Sequence, residues 1–165
     1  MRTLKFFILV LLFMQFVGGL TIYAQPKDGG AFSAYLIGTY EKRFNIFTVL
    51  HIINPTNSNL RVVIAFYDDK EEYQTCLKVE LTPNDLHEVI VTSATPGITS
   101  PFGVVKIISY RTNPTTGMKE PYQGIVGYQR HCLVNLGFSE SVLASVPTEY
   151  AAAELSIIAS RCTPL

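Results

Sequence analysis

Two apolar, β-branched segments separated by six turn-forming residues constrain the fold of this chain most strongly. The segments occupy residues 48–53 and 60–67, and the sequence between them reads Asn-Pro-Thr-Asn-Ser-Asn. This stretch is typical of a turn, because Pro55 fixes its own φ angle and asparagine tolerates left-handed backbone geometry. The pattern predicts a β-hairpin with a long connection.

The second segment also predicts its own place in a sheet. Large apolar side chains alternate along one face, and the opposite face carries Val63 and Ala65 beside Arg61. Such a strand is more typical of the interior of a sheet than of its edge. Together with the alternating segment at 73–81, it predicts these core residues: Leu60, Val62, Ile64, Phe66, Leu77, Val79 and Leu81.

Seven segments of this kind follow one another with turn-forming residues between them. They lie at residues 34–40, 44–53, 60–68, 73–81, 86–92, 102–110 and 124–134. Strands at this spacing, without helices between them, predict an all-β fold, an antiparallel β-sandwich of about seven strands. We assign residues 34–165 to this one domain.

The chain after Pro147 predicts a short C-terminal helix. Thr148 is a suitable capping residue, and Glu149 suits the positive end of the helix dipole. One apolar stripe recurs at helical spacing and contains Ala151, Leu155, Ile158 and Cys162.

Several motifs resemble those of secreted bacterial immunoglobulin-like β-sandwich modules, in which an Asn-Pro turn precedes a strand ending in Phe-Tyr-Asp. The matching residues are Asn54, Pro55, Val62, Ile64, Phe66, Tyr67, Asp68, Leu81 and Pro83. They cover about half of the chain that follows residue 24. The family pattern often has glycine where this chain has Lys70, and the tryptophan of antibody-type domains is missing. The resemblance implies an immunoglobulin-like sandwich and no particular activity.

The N-terminal residues have the pattern of a secretory signal peptide. Arg2 and Lys5 precede an apolar run at residues 6–17, and Ile22 and Ala24 occupy the −3 and −1 positions of a cleavage site. The apolar run is shorter than the roughly 20 residues that a spanning helix needs. We expect a signal peptide at 1–24, a flexible lead-in at 25–33, and a secreted, periplasmic or cell-surface protein without a membrane span after cleavage.

The charge of the chain argues against nucleic acid as a partner. Thirteen basic residues balance thirteen acidic ones, so no basic field exists to attract a polyanion. Charged residues make up 16% of the chain, below the ordinary ~25%. The expected partner is a protein or a cell-surface component, with a second copy of the chain as one option.

In an oxidising compartment, three cysteines predict one disulfide and one unpaired thiol, or a disulfide link between chains. Cys162 ends the predicted helix, and Cys132 ends the last long strand, so a helix that packs back onto the sheet would bring them together. We expect a Cys132–Cys162 disulfide. Cys76 paired with Cys162 is the alternative, if the tail crosses the outer face of the fourth strand.

The histidines carry the alternative of a metal-binding protein or an enzyme. His51, His87 and His131 are scattered along the chain, and none has the short spacing of a zinc site. No nucleophile motif accompanies them, so we expect no enzymatic activity, no cofactor and no metal. The acidic turn at 68–72 resembles a solvated turn more than a calcium loop.

The longest polar connection, at residues 111–123, is the predicted binding loop. Binding sites of sandwich folds lie in loops, and this loop offers Arg111, Met118, Lys119 and Tyr122 as contact residues. An ordinary long hairpin connection is the equal alternative. The predicted function is an exported, non-catalytic binding module, and a structural subunit of an extracellular assembly is the second hypothesis.

Overall fold

The computed structural model describes residues 32–162 as two antiparallel sheets and one helix. The predicted signal peptide at 1–24, and all but the last two residues of the lead-in, lie outside the described residues. Within residues 32–162, no helix is long and apolar enough to cross a membrane.

The larger sheet has six strands: β1 (Tyr35–Glu41), β3 (Leu60–Asp68), β4 (Tyr73–Leu81), β6 (Phe102–Thr112), β7 (Lys119–Pro121) and β10 (Ala144–Val146). Their order is β10-β1-β6-β3-β4, with β7 paired to the end of β6. The smaller sheet has four strands: β2 (Ile46–Asn54), β5 (Asp85–Val91), β8 (Val126–Leu133) and β9 (Gly137–Val142). Their order is β5-β2-β8-β9.

The prediction of an all-β, antiparallel fold with a short C-terminal helix is confirmed, but the strand count of about seven was too low. All seven predicted strands are present, and the described residues contain three more, namely β7, β9 and β10. Two of these are only three residues long. β9 is exposed at all six positions, so it lacks the apolar alternation by which the other strands were found.

The predicted hairpin of β2 and β3 is wrong, because the two strands belong to different sheets. The turn between them is held by the side chain of Asn54. Its Nδ2 donates to Ser58 O at 2.8 Å and to Thr82 O at 2.8 Å, and its Oδ1 accepts from Thr56 N at 3.0 Å. These bonds satisfy the turn without strand pairing, so the chain crosses from one sheet to the other.

The main core lies between the two sheets, which gives a sandwich-like arrangement. β3 contributes Leu60, Val62, Ile64 and Phe66, all of them buried, as predicted. Leu81 is also buried, whereas Leu77 and Val79 pack partly buried against the same cluster. β3 lies between β6 and β4, which confirms its predicted place inside a sheet.

The helix α1 (Thr148–Arg161) covers the outer face of the larger sheet, which explains why β3 is apolar on both faces. Val63, Ala65 and Tyr67 form a second core with the predicted helical stripe, all of which is buried: Ala151, Leu155, Ile158 and Cys162. The predicted capping role of Thr148 is wrong, because Pro147 is the capping residue and makes no side-chain bond. Thr148 Oγ1 instead accepts a hydrogen bond from Gln123 Nε2 at 2.9 Å.

The expected Cys132–Cys162 disulfide is corrected by the structure, which pairs Cys76 with Cys162 and leaves Cys132 as a free thiol. The reason is the side of the molecule on which the helix packs. α1 lies on the larger sheet, where β4 presents Cys76, whereas Cys132 lies on β8 of the smaller sheet. The alternative pairing weighed from the sequence is therefore the observed one.

Candidate functional site

An open cleft of about 590 Å³ lies at one end of the two sheets. In this antiparallel arrangement the ends of β1 and β8 and the starts of β2, β6 and β9 all meet there. The residues that line it are Thr39, Tyr40, Glu41, Arg43, Ile46, Phe102, Gly103, His131, Leu133, Leu136, Gly137, Phe138 and Ser139. We refer to it as the end cleft.

Side chains of the smaller sheet hold the edge of the larger sheet at the floor of the end cleft. β10 pairs only with residues 35–37 of β1, so the rest of that edge has no strand partner among the described residues. Gln129 Oε1 accepts a hydrogen bond from Thr39 N at 2.8 Å. Thr48 Oγ1 accepts one from Glu41 N at 2.8 Å and donates one to Glu41 O at 3.0 Å. We call these contacts the edge clasp.

His131 is part of the edge clasp, and its partners define which ring nitrogen carries the proton. Since Gln129 Oε1 accepts from Thr39, the amide nitrogen of Gln129 is a donor, and it lies 3.2 Å from His131 Nε2. Nε2 is therefore an acceptor, and Nδ1 donates to Thr48 Oγ1 at 3.0 Å. The lone pair of His131 is engaged within the protein, so this histidine is a structural residue rather than a free base.

Tyr40 lies beneath the end cleft with its hydroxyl group buried. The ring packs edge-on against Phe66, with 5.7 Å between ring centroids, and the hydroxyl oxygen has no hydrogen-bond partner among the described residues. Burial raises the pKa of this phenol above its ordinary value. Gly103 lies against it, and a Cβ there would collide with the backbone oxygen of Tyr67 and lie 2.8 Å from the Tyr40 hydroxyl oxygen. The glycine thus keeps room for the Tyr67 backbone and the Tyr40 hydroxyl group at the cleft floor.

The rim of the end cleft is apolar and exposed. Phe44 in the β1–β2 turn is 91% exposed, and Leu136 in the β8–β9 turn is 81% exposed. The two turns are joined by a hydrogen bond from Val134 N to Asn45 O at 2.9 Å, so their tips form one surface. Phe102, Leu133 and Phe138 extend it. Contiguous apolar side chains at turn tips are typical of an interaction site.

The charges near the rim compensate one another. Arg43 Nε lies 2.9 Å from Glu41 Oε1, and its guanidinium lies 5.3 Å from the centroid of the Phe102 ring. Arg130 makes a corresponding pair with Glu140 at 2.9 Å on the outer side of β8. The rim therefore offers no net charge to a partner, and its apolar side chains dominate the contact that it can make.

The predicted binding loop at 111–123 lies at the other end of the larger sheet. Phe102 at the start of β6 borders the end cleft, whereas Arg111 is nine residues further along the same strand, about 30 Å away at the usual strand rise. Most of the loop folds as a hairpin of β6 and β7. Sequence reasoning placed the site at this end because the segment is long and polar.

The four predicted contact residues do not share one face of this hairpin. The guanidinium of Arg111 lies 5.1 Å from the Tyr122 ring centroid, whereas the Lys119 ammonium lies 5.5 Å from that of Tyr110. Lys119 pairs with Thr112, so its side chain is on the opposite face from Arg111. Met118 is exposed at the turn. These residues form two separate contacts and one exposed tip.

The three histidines lie in separate places. His51 is on the outer face of β2, buried under the Tyr128 ring at 4.2 Å between centroids, and Glu88 Oε1 lies 3.0 Å from its Nδ1 without hydrogen-bond alignment. His131 pairs with Thr48 and His87 with Ile52, about 13 Å apart along β2. Among residues 32–162 no cluster of three or more His, Cys, Asp or Glu side chains could hold a metal ion.

Sequence reasoning missed the end cleft, although one signal pointed to it. The segment Leu-Val-Asn-Leu-Gly-Phe at 133–138 contains the β8–β9 turn and the strand residues on either side of it, and four of its six residues are large and apolar. A turn normally carries polar residues, so exposed apolar side chains there indicate a contact surface. The edge clasp had no comparable signal, because Gln129 and Thr39 are 90 residues apart.

No family model and no curated protein matches this chain. Among solved structures, the chain is similar to the crystal structure of Thermotoga maritima 1070, with 15% sequence identity and a TM-score of 0.47. The similarity covers 72% of this chain and 97% of that one. No property of that protein is transferred to this chain.

Proposed function

We propose that this chain is an exported, non-catalytic β-sandwich module that binds a protein or another cell-surface component. The observation that carries the proposal is the exposed apolar rim of the end cleft, built from the joined tips of the β1–β2 and β8–β9 turns. Large apolar side chains at such positions oppose solubility unless a partner covers them. A binding role explains why Phe44 and Leu136 occupy turn tips.

Export is supported by two independent features. Residues 1–24 carry the signal-peptide pattern, and the Cys76–Cys162 disulfide is the kind of bond that persists in oxidising compartments. The exported protein should begin at Gln25 when its N-terminus is sequenced. Recovery of Met1 on the exported, membrane-associated protein would contradict cleavage.

A binding role is favoured over catalysis by the state of the polar groups at the cleft floor. The His131 ring nitrogens, the Gln129 amide and the Thr48 hydroxyl are engaged with one another and with the β1 backbone. A catalytic base needs a free lone pair directed at substrate. The polar floor therefore supports the shape of the cleft and leaves recognition to the rim.

An immunoglobulin-like architecture belongs to the same proposal. In that fold the second strand pairs with the fifth in one sheet, and the third pairs with the sixth in the other. The pairs β2–β5 and β3–β6 agree with this pattern. The first strand and the seventh predicted strand, β8, are exchanged between the sheets, because β1 pairs with β6 and β8 pairs with β2. The fourth strand differs as well, because β4 pairs with β3 rather than with β5. The proposal is thus an immunoglobulin-like sandwich with exchanged terminal strands and a fourth strand in the other sheet.

The proposed site is tested by saturation binding of labelled mature protein to intact cells and isolated envelopes of its source organism. We expect saturable binding that the substitutions Phe44→Ser and Leu136→Ser each weaken at least about tenfold, or 1.4 kcal/mol. Met118→Ser is the matched control, because Met118 is also exposed at a turn tip, but at the other end of the larger sheet.

The same measurement distinguishes the predicted loop from the end cleft. If Met118→Ser or Lys119→Ala weakens binding and the rim substitutions do not, the β6–β7 hairpin is the binding site. An absence of saturable binding to any envelope fraction would argue against a surface-binding module. It would then favour the structural-subunit hypothesis.

A further inference from the structure

The strand β9 has a free edge. It pairs with β8 only, and among the described residues no strand pairs with its other side. The register places Val142 opposite Tyr128. One position further, Leu143 donates its N–H to Gly127 O at 3.0 Å. This bond defines which backbone groups of β9 are directed toward β8.

Antiparallel strands direct the backbone groups of alternate residues toward the same partner. Because Leu143 is bonded to β8, the odd-numbered residues of β9 are directed toward β8 as well. The even-numbered residues Phe138, Glu140 and Val142 therefore direct their N–H and C=O groups away from β8. The free edge presents three donors and three acceptors in a row.

The side chains of these residues do not protect the edge. Phe138 is 63% exposed and Val142 is 81% exposed, both on the outer face of the smaller sheet. The single charge of the strand, on Glu140, is compensated by Arg130. Other edges differ: β4 carries Lys78 and Glu80, and β5 carries Asp85 and Glu88. Natural edge strands use such charges to block pairing, and β9 lacks an uncompensated one.

We propose that β9 pairs with β9 of a second copy of this chain, antiparallel and centred on Glu140, to form a two-fold symmetric dimer. In this register Phe138 lies opposite Val142 of the second copy, Glu140 opposite its own equivalent, and Val142 opposite Phe138. Each of the three residues has its free N–H and C=O groups directed at the partner, so all of them become bonded. The two smaller sheets join into one continuous sheet of eight strands, four from each copy.

The side chains of β9 are complementary to themselves in this register. Phe138 and Val142 form an aromatic–β-branched cross-strand pair at both ends, which is a favourable combination. The two Glu140 carboxylates meet at the axis, where like charges ordinarily oppose pairing. Each is already held by Arg130 at 2.9 Å, so the axis carries two guanidinium groups with two carboxylates. The two carboxylate charges at the axis are balanced because each copy contributes its own Arg130–Glu140 ion pair.

This inference rests on the edge of β9 and not on the turn tips of the end cleft, although Phe138 borders both. The dimer contact uses backbone groups of β9 and side chains on the outer face of the sheet, whereas the proposed binding site is centred on Phe44 and Leu136 at the turn tips. A second copy is favoured over an unrelated partner. In a two-fold symmetric dimer the same strand of both copies forms the contact, so this strand must be complementary to itself, and β9 meets that requirement.

Sedimentation equilibrium of the mature protein, in reducing and non-reducing buffer, tests the dimer. We expect a reversible dimer in both buffers, since the contact requires no thiol. Phe138→Lys and Val142→Lys should each raise the dimer dissociation constant by more than about tenfold. Met118→Lys, an equally exposed apolar residue at a distant turn, is the matched control and should leave it unchanged. Circular dichroism of each variant establishes that it remains folded.

Crosslinking tests the register without a disruptive substitution. In a Cys132→Ser background, Glu140→Cys places two cysteines opposite each other, with Cα atoms about 5.5 Å apart, which suits a disulfide. Ser141→Cys is the matched control, because its equivalent in the second copy is displaced along the strand beyond disulfide reach. We expect oxidation to crosslink the Glu140→Cys variant and not the Ser141→Cys variant.

Three results would overturn the proposal. One is a mature protein that stays monomeric at high micromolar concentration. Another is a dimer that neither lysine substitution weakens, or that Ser141→Cys crosslinks in preference to Glu140→Cys. The third is a monomer whose amides at Phe138, Glu140 and Val142 resist hydrogen exchange until residues 25–31 are deleted, since the edge would then be occupied by the chain's own lead-in.

Discussion

Cys76 of β4 is bonded to Cys162 at the end of α1, and β4 makes two further contacts with this end of the helix. Lys78 Nζ donates a hydrogen bond to Cys162 O at 2.7 Å, and the Arg161 guanidinium lies 5.8 Å from the Tyr73 ring centroid. The disulfide therefore holds the helix on the outer face of the larger sheet, where it covers the second core.

Removal of this disulfide should destabilise the domain substantially. The two cysteines are 86 residues apart, and on the chain-entropy model closing a loop of that length contributes roughly 4–5 kcal/mol. We expect the Cys76→Ala/Cys162→Ala variant to lose an amount of this order in its free energy of unfolding in urea. Cys132→Ser, which removes only the free thiol, is the control and should lie close to the wild type.

The core between the sheets should be sensitive to Phe66. This side chain is fully buried and packs edge-on against Tyr40. Phe66→Ala leaves a cavity and should cost roughly 3–5 kcal/mol in the free energy of unfolding. Phe44→Ala removes the same atoms from a residue that is 91% exposed, so its cost should stay within about 0.5 kcal/mol. Equal unfolding midpoints for the two variants would contradict the assigned core.

Local patterns were sufficient to predict most of the elements of this fold. The alternation of Val62, Ile64 and Phe66 predicted a strand and its buried face, and the spacing of Leu155 and Ile158 predicted the buried stripe of the helix. Both predictions depend on the periodicity of one segment, which the sequence contains in full.

Pairing between distant segments was not predictable in this way. The choice of partner for β2 depends on β5 and β8, and the partner of Cys162 depends on which sheet the helix covers. Both are decided by the tertiary packing of surfaces far apart in sequence. The edge clasp is a similar case, since nothing near Gln129 in sequence indicates a bond to Thr39. The polar floor of the candidate site was missed for this reason, whereas its apolar rim had a local signal in the segment 133–138.

The buried tyrosines predict a loss of stability at alkaline pH. Burial raises the pKa of Tyr67 far above its ordinary value near 10, and the Glu154 carboxylate, 3.1 Å from the hydroxyl, raises it further. Burial also raises the pKa of Tyr35. The folded state keeps both phenols protonated, whereas the unfolded chain releases these protons near pH 10. Their contribution to stability is therefore complete below about pH 10 and is lost as the pH rises above it.

Each such tyrosine should lower the free energy of unfolding by about 1.4 kcal/mol per pH unit above pH 10. Urea unfolding between pH 9 and pH 11 measures this slope, and Tyr67→Phe should reduce it by one such increment. Tyr150→Phe, an exposed residue of α1, is the control. An unchanged slope in Tyr67→Phe would show that the Tyr67 phenol does not oppose ionisation in the folded state.

The edge clasp predicts that the buried side-chain amide of Gln129 joins the two sheets. Gln129→Leu keeps the volume of the side chain but removes the acceptor for Thr39 N–H and the donor to His131 Nε2. Thr39 N–H is then left near an apolar group in a partly buried place, and such an unmet donor costs roughly 1–3 kcal/mol.

Gln123→Leu is the matched control, because Gln123 makes a single exposed hydrogen bond to Thr148 and its substitution should cost less than about 0.5 kcal/mol. Hydrogen exchange gives the site-specific readout: in Gln129→Leu the Thr39 amide should exchange faster, whereas the amides of β3 in the sheet interior should keep their protection relative to global unfolding. If Thr39 exchange is the same in both variants, another group satisfies that edge and the clasp does not join the sheets.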